Sequence, residues 1–328
     1  MTSGPRCNLT RVPIPNELLQ SFFEQSKLRF GRCLAPGMNC ENSAVQSHSV
    51  QNSQILDLLA RDGHVKALTK RIDKNTGPVI DFNEVGRNQA TTFRGFCASH
   101  DSVIFKAIDT NDFQADDSEH LFLSSYRAVA RELHALMEAA VRIQASYQDR
   151  IKLGFDRGNE PEPVGMLALE YMVKSYSTHQ YKCSFDQALI AKRYGDVLHD
   201  VAYIGHERAN VAVCSLFSID HQTKNGDYVR IALNVLPQSS EQSVVVFGYL
   251  PEDAELVRPF LRPILTSEKY YQKYLLSKLV LNNCENFVVS PASYDDWPQE
   301  KRNAIRDYFV STLLHGSLEA ENEHFYLF

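Results

Sequence analysis

No run of apolar residues in this 328-residue chain approaches the roughly eighteen or more that a membrane-spanning helix requires, so no membrane partner is expected. The first residues, Met1 to Pro15, lack the basic start and apolar centre of a secretion signal. Seven cysteines are present, an odd number at irregular spacing, which argues against a disulfide framework and for a reducing cytoplasm as the setting. There is no phosphate-binding glycine loop, no G-x-G-x-x-G following a strand, no G-x-S-x-G elbow and no H-E-x-x-H. Nucleotide-driven, dinucleotide-dependent and serine-hydrolase activities therefore have no residues to stand on. Internal repeats and low-complexity tracts are also missing.

What is there has the composition of an ordinary globular protein, 44% hydrophobic and 23% charged. The length suits two domains or one large one, with a sizeable core in either case. Net charge is −6 but unevenly spread: residues 1–110 carry 13 basic and 10 acidic side chains, a balance of +3, and the remainder stands at −9. A mildly basic front on an acidic body suits phosphate contact by the front, and it equally suits a plain solvated surface.

That front holds the residues with the most distinctive chemistry: Cys33-Leu-Ala-Pro-Gly-Met-Asn-Cys40, then Ser47-His48, then Phe93-Arg-Gly-Phe-Cys97-Ala-Ser-His100-Asp101. Zinc takes thiolate and neutral imidazole in a four-coordinate shell, usually as two pairs, each gathered by a tight turn. Cys33 and Cys40 enclose Pro36 and Gly37, which let a short loop fold back on itself. Cys97 and His100 form a C-x-x-H pair flanked by Phe96 and Val103-Ile104-Phe105, apolar residues able to pack the knuckle against a small core. The expected ligand set for a structural zinc is Cys33, Cys40, Cys97 and His100. His48 is a fifth candidate for four positions, and buried cysteines acting as small hydrophobes are the alternative.

Arranged this way, residues from about 28 to 110 resemble the HNH, or His-Me finger, nuclease module, in which a zinc-stapled hairpin and helix present a catalytic histidine. The residues at matching positions are His48, Asn88 and the closing Cys97-x-x-His100-Asp101. The resemblance implies a metal-dependent endonuclease, with His48 as general base on water and Asp101 helping to hold a catalytic magnesium or manganese ion. Asn88 would orient His48 or the backbone around it. Nucleic acid is the implied partner, and the family's context suggests bacterial phage defence. This sequence departs from the pattern in two respects. Its closing motif is C-x-x-H-D rather than C-x-x-C-H, so His100 cannot both complete a zinc shell and serve the catalytic metal; the interval from His48 to Asn88 is also long. If His48 is itself a zinc ligand, the module is non-catalytic and serves protein or nucleic-acid recognition.

Elsewhere periodicity predicts the elements. A short helix is expected over Asn16 to Lys27 and another over Asn52 to Arg61, ending near Gly63, followed by a polar connection over residues 66–80 and a strand from Thr91 to Phe96. Asp116-Asp117-Ser118 opens a helix running to Gly154, about 50 Å long at 1.5 Å per residue. Along it Tyr126, Val129, Leu133, Leu136, Ala140, Ile143 and Tyr147 form a 3.5-residue seam, which suits either a homodimer through the helix 118–153 or packing within the chain. Helical spacing resumes from Met166 to Tyr176 and from Phe185 to Val201; His199 and His206, each followed by an acid, lack a third metal ligand.

The period then changes to two. Val211 to Ile219, a turn at Asn225-Gly226, residues 229–235 and Val244 to Phe247 predict an antiparallel meander. Helices return over Glu252 to Leu281 and Gln299 to Leu314, with a turn over the polar stretch from Asn282 to Pro291. The expected architecture is α+β: an N-terminal zinc-stapled ββα-like module over residues 1–115, then residues 116–328 as a long helix and a helical body carrying a small antiparallel sheet.

Overall fold

The computed structural model describes residues 15–73, 77–159, 162–222, 228–315 and 325–328, so the expected turn at Asn225-Gly226 lies outside the described residues. Helix α1 (Asn16–Gln25) follows Pro15. Strand β1 (Val45–His48) comes next, then a π-type turn (Asn52–Leu56) running into the single turn α2 (Asp57–Leu59), which together bury Ile55, Leu56 and Leu59. The helix stops short of Arg61 because Asp62 and Gly63 both take positive φ, 51° and 73°. An Asp-Gly pair in that conformation makes a hairpin turn, and Arg61 and His64 bridge across it.

Beyond the turn run β2 (His64–Asp73) and β3 (Gly77–Gly86), paired from His64↔Gly86 to Asp73↔Gly77. This hairpin occupies the stretch expected to be a polar connection. The charges there belong to paired side chains, Lys66 with Glu84 at 3.3 Å and Lys70 with Glu285 at 2.7 Å, while Val65 and Phe82 are buried. Strand β4 (Thr92–Phe96) then returns to pair antiparallel with β1, and α3 (Ala98–Ile104) and α4 (Lys106–Thr110) follow.

The long helix α5 (Ser118–Lys152) stands where its seam predicts, with Tyr126, Val129, Leu133 and Ala140 buried within the chain itself. Helix α6 (Pro163–Ala191) runs through the expected gap between Tyr176 and Phe185. Thr178, Tyr181 and Lys182 are buried in that gap, so the inward stripe continues through residues that a hydrophobic pattern does not count. Strand β5 (Leu198–Gly205), rather than a helix, carries His199.

The meander forms as β6 (Val211–Gln222), β7 (Tyr228–Pro237) and β8 (Gln242–Tyr249). Helices α7 (Ala254–Thr266) and α8 (Lys269–Asn283), strand β9 (Phe287–Val289), and helices α9 (Pro291–Asp295) and α10 (Gln299–His315) complete the chain. The stretch expected to be only a turn thus contains a strand. Short as it is, β9 pairs on both sides, with β2 through Lys66↔Val289 and with β6 through Val211↔Val289. Among the described residues the large sheet has the order β3-β2-β9-β6-β7-β8-β5 and is antiparallel throughout. It takes strands from both sides of the expected boundary between residues 115 and 116.

Strand β7 is buried without a break from Val229 to Pro237, because both faces of the sheet are covered. Val229, Ile231, Leu233 and Val235 join one apolar cluster with Val257 and Leu261 of α7, Val280 of α8 and Ile305 of α10. Against the other face lie α5 and α6: Tyr181 donates to the Arg230 carbonyl at 3.2 Å, and Gly248 of β8 sits so close to α5 that a Cβ there would collide with the Ser125 hydroxyl. The chain packs as two compact units, one of α1 with Leu136–Tyr176 and the other of Gly31–Ala135 with Ser177–Phe328. In the first, Ser21 and Gln25 donate to the Asp149 carboxylate at 2.9 and 2.5 Å. No described helix is long and apolar enough to cross a membrane.

Gly248→Ala should therefore destabilise the protein by about 1–3 kcal/mol, the usual effect of overpacking, read as a lower urea midpoint. Burial of His199, whose Nε2 lies 3.1 Å from the Ser125 hydroxyl, pushes its pKa down to about 4 from an ordinary 6.5. A native imidazole that stays neutral while the unfolded one takes a proton makes stability fall as pH drops from 6.5 toward about 4, by roughly 3 kcal/mol in all. Urea titrations across that window should show the loss, and His199→Gln should flatten it.

Candidate metal centre

The turn before Cys40 is built by its sequence. Pro36 and Gly37 occupy the centre of a β-turn in which Met38 N–H donates to the Ala35 carbonyl at 2.9 Å, and Gly37 takes φ 79°, a value open to glycine. A bridge between Arg32 and Ser43 closes the base of the loop. Leu34 N–H donates to the Gly95 carbonyl at 2.7 Å, stitching the loop to β4. Strand β4 then delivers Cys97 to the N-cap of α3, whose first turn presents His100.

Four ligand atoms converge as a result. Cys33, Cys40, Cys97 and His100 offer donors that all lie within 4.8 Å of one another. His100 Nδ1 stands 3.3 Å from Cys97 Sγ and 3.5 Å from Cys33 Sγ, and Cys40 Sγ stands 3.9 Å from Cys97 Sγ. A tetrahedral zinc with its usual bond lengths sets ligand edges of about 3.8 Å between sulfurs and about 3.6 Å from sulfur to nitrogen. The set can thus hold a metal ion such as zinc. Backbone N–H groups help: the Cys97 amide donates to Cys33 Sγ at 3.3 Å, and the His100 amide is the main influence that brings the Cys97 thiol down to about 7. Burial pushes the Cys33 thiol the other way.

Core cysteines of this chain look different. Cys214 and Cys284 are fully buried, and burial raises their thiols to about 11 and about 12. Phe96 and Phe105 pack with Tyr126 behind the centre, ring centroids 5.2 to 6.1 Å apart. Val103, expected to join them, is 72% exposed.

His48 stands outside this set. It ends β1 opposite Thr92, and its Nε2 lies 3.0 Å from the Arg87 carbonyl. A carbonyl only accepts, so Nε2 carries the proton and a neutral His48 keeps its lone pair on Nδ1. Thr91 beside it takes φ 57°, a strained value for a β-branched residue, while its carbonyl accepts from the Ser49 amide and hydroxyl at 2.9 and 2.7 Å.

Asp101 follows His100 on α3 and is half-buried. Burial raises its carboxyl pKa; Arg127, the Ser47 hydroxyl and His48 pull it back, and Asp109 adds to the rise. The fold therefore brings His48 and Asp101 into one polar neighbourhood. Asn88 is exposed, and its carbonyl accepts from Asn52 Nδ2 at 2.8 Å rather than from His48. Among the described residues no second group of three His, Cys, Asp or Glu side chains gathers for a metal.

Sequence reasoning missed Arg127. Its two terminal nitrogens donate to both Asp109 oxygens at 2.9 and 2.7 Å, and its guanidinium lies 4.1 Å from the Phe105 ring centroid. It missed a second buried group as well: Lys182 and Tyr126 both donate to Asp186, at 2.5 and 2.7 Å. The i,i+4 spacing of Lys182 and Asp186 is the available signal, hidden beside the stretch of α6 over residues 177–184, which holds few apolar residues.

Purified protein should carry about one zinc per chain by elemental analysis, and Cys97→Ala should lose it. Stability should fall by roughly 4 kcal/mol or more, the stabilisation a ligand confers at about a thousand times its Kd. His48→Ala should keep its metal, because the imidazole is no part of the set. Comparison of the chain with family models, curated proteins and solved structures finds no match.

Proposed function

We propose that this chain is a metal-dependent endonuclease of the HNH, or His-Me finger, type, in which β1, β4 and α3 are a ββα module stapled by a structural zinc on Cys33, Cys40, Cys97 and His100. The observation that carries this reading is the state of His48. It lies apart from the thiol cluster, gives its Nε2 proton to the Arg87 carbonyl and keeps Nδ1 as a base. Buried polar atoms support it: Asn52 Oδ1, on the residue that binds Asn88, and Thr91 Oγ1, next to the residue paired with His48, have no hydrogen-bond partner among the described residues. Such atoms concentrate where a substrate or ion completes the set.

In this mechanism His48 Nδ1 takes a proton from the attacking water. Asp101 is the carboxylate available to a magnesium or manganese ion, which would supply charge neutralisation at the scissile phosphate and its leaving oxygen. Magnesium is commonly held by one or two carboxylates together with substrate phosphates, so a single Asp101 is in keeping with that role. Asn88 acts on the loop rather than on the ring: by binding Asn52 it steadies the backbone whose preceding carbonyl, that of Arg87, receives His48.

A second reading, a non-catalytic zinc module for protein or nucleic-acid recognition, draws on Arg127. That guanidinium already gives Asp101 a positive neighbour, the place a catalytic cation would take. The two readings part on activity. Supercoiled plasmid, single-stranded DNA and RNA are each incubated with the protein and magnesium or manganese, beside His48→Ala matched for zinc. Cleavage by the wild type, reduced at least a hundredfold in the variant with zinc retained, is the expected result. Binding without cleavage under either cation would give the site to recognition.

A further inference from the structure

Three residues that line one small cavity each carry a buried polar atom with no hydrogen-bond partner among the described residues: Gln51 Oε1, Arg127 Nε and Asn234 Nδ2. Their residues are 8%, 4% and 1% exposed. Each comes from a different part of the fold, Gln51 from the segment after β1, Arg127 from α5 and Asn234 from β7. Unpaired buried polar atoms are rare one at a time, because each forfeits its hydration. Three facing a common cavity describe a binding site.

The surrounding bonds fix what Gln51 and Arg127 offer. Gln51 uses Nε2 on the Asp109 carbonyl at 3.0 Å, which fixes the amide so that Oε1 faces the cavity as an acceptor. Arg127 uses each terminal nitrogen on Asp109, so Nε–H is the one nitrogen of the guanidinium with no partner among the described residues. Asn234 offers Nδ2–H. The complement must accept two hydrogen bonds and donate at least one.

Size narrows the choice further. The cavity volume is about 20 Å³, close to the roughly 10–15 Å³ minimum that a water needs and too small for an organic ligand. An anion would meet the Gln51 oxygen, and a cation would meet Arg127. We propose that the site binds one internal water that accepts from Arg127 Nε and Asn234 Nδ2 and donates to Gln51 Oε1. Ile55, Ile108, Phe113 and Leu236 supply the apolar part of its wall, and Ser49, Gln54 and Ser124 also line it. This water joins the β1–β2 connection, α5 and β7, and gives the Arg127 guanidinium its third anchor beside Asp109. The inference does not depend on the proposed catalysis.

The test is a high-resolution crystal structure of the wild-type protein, with a second crystal soaked in sodium bromide and measured at the bromine edge. One water-sized peak about 3 Å from all three atoms, with no anomalous bromide signal there, is expected. A bromide peak overturns the assignment in favour of an anion site, and direct bonding among the three side chains with no peak between them overturns the site altogether. Asn234→Leu supplies a solution readout: a melting temperature lower by several degrees is expected, and unchanged melting would remove the joint. If that variant fails to fold, Gln51→Leu is measured in the same way, and the wild-type crystals remain decisive.

Discussion

Three sulfur atoms and an imidazole held within a few ångströms of one another are the constraint on which the N-terminal region depends. As thiolates they repel; a divalent cation at their centre turns that repulsion into the strongest local attraction in the region. The Cys33–Cys40 loop has a bridge at its base, a backbone bond from Leu34 to β4, the Cys97 amide on Cys33 Sγ and the Arg32 side chain on the Met38 carbonyl, contacts that fit one half of a metal shell.

The strands that bring the ligands together also bring the proposed base. β1 carries His48 to its end, β4 carries Cys97 to its end, and α3 places Asp101 one residue after the last ligand. The long interval between His48 and Asn88 builds β2 and β3, which join the large sheet through β9. The module is thereby tied into the body of the protein, and Arg127 and Asp109 make a further tie between α5 and α4 at the same place.

How much of this was legible in the sequence follows from which interactions are local. The four candidate ligands were readable because zinc chemistry restricts residue type and each pair is close in sequence. The long helix was readable because Tyr126, Val129, Leu133 and Ala140 keep a regular period, and the meander because Val229, Ile231, Leu233 and Val235 recur at every second position beside the apolar run of β6. The β2–β3 hairpin was hidden because its lysines and arginines outweigh Val65 and Phe82 in any pattern count. Asp62-Gly63 was taken for a helix stop although the pair is a hairpin turn signal. β9 was hidden because three residues cannot establish a period; only its two neighbours make it a strand. Neither the depressed pKa of His199 nor the meeting of Gln51, Arg127 and Asn234 leaves any local trace, since both arise from residues far apart in the chain.

The role of His48 turns on whether the shell is three sulfurs and one nitrogen without it. X-ray absorption at the zinc edge of the wild-type protein measures that directly. The account predicts three zinc–sulfur distances near 2.3 Å and one zinc–nitrogen distance of about 2.0–2.1 Å. A shell of two sulfurs and two nitrogens would place His48 on the metal, remove the proposed general base and contradict the account.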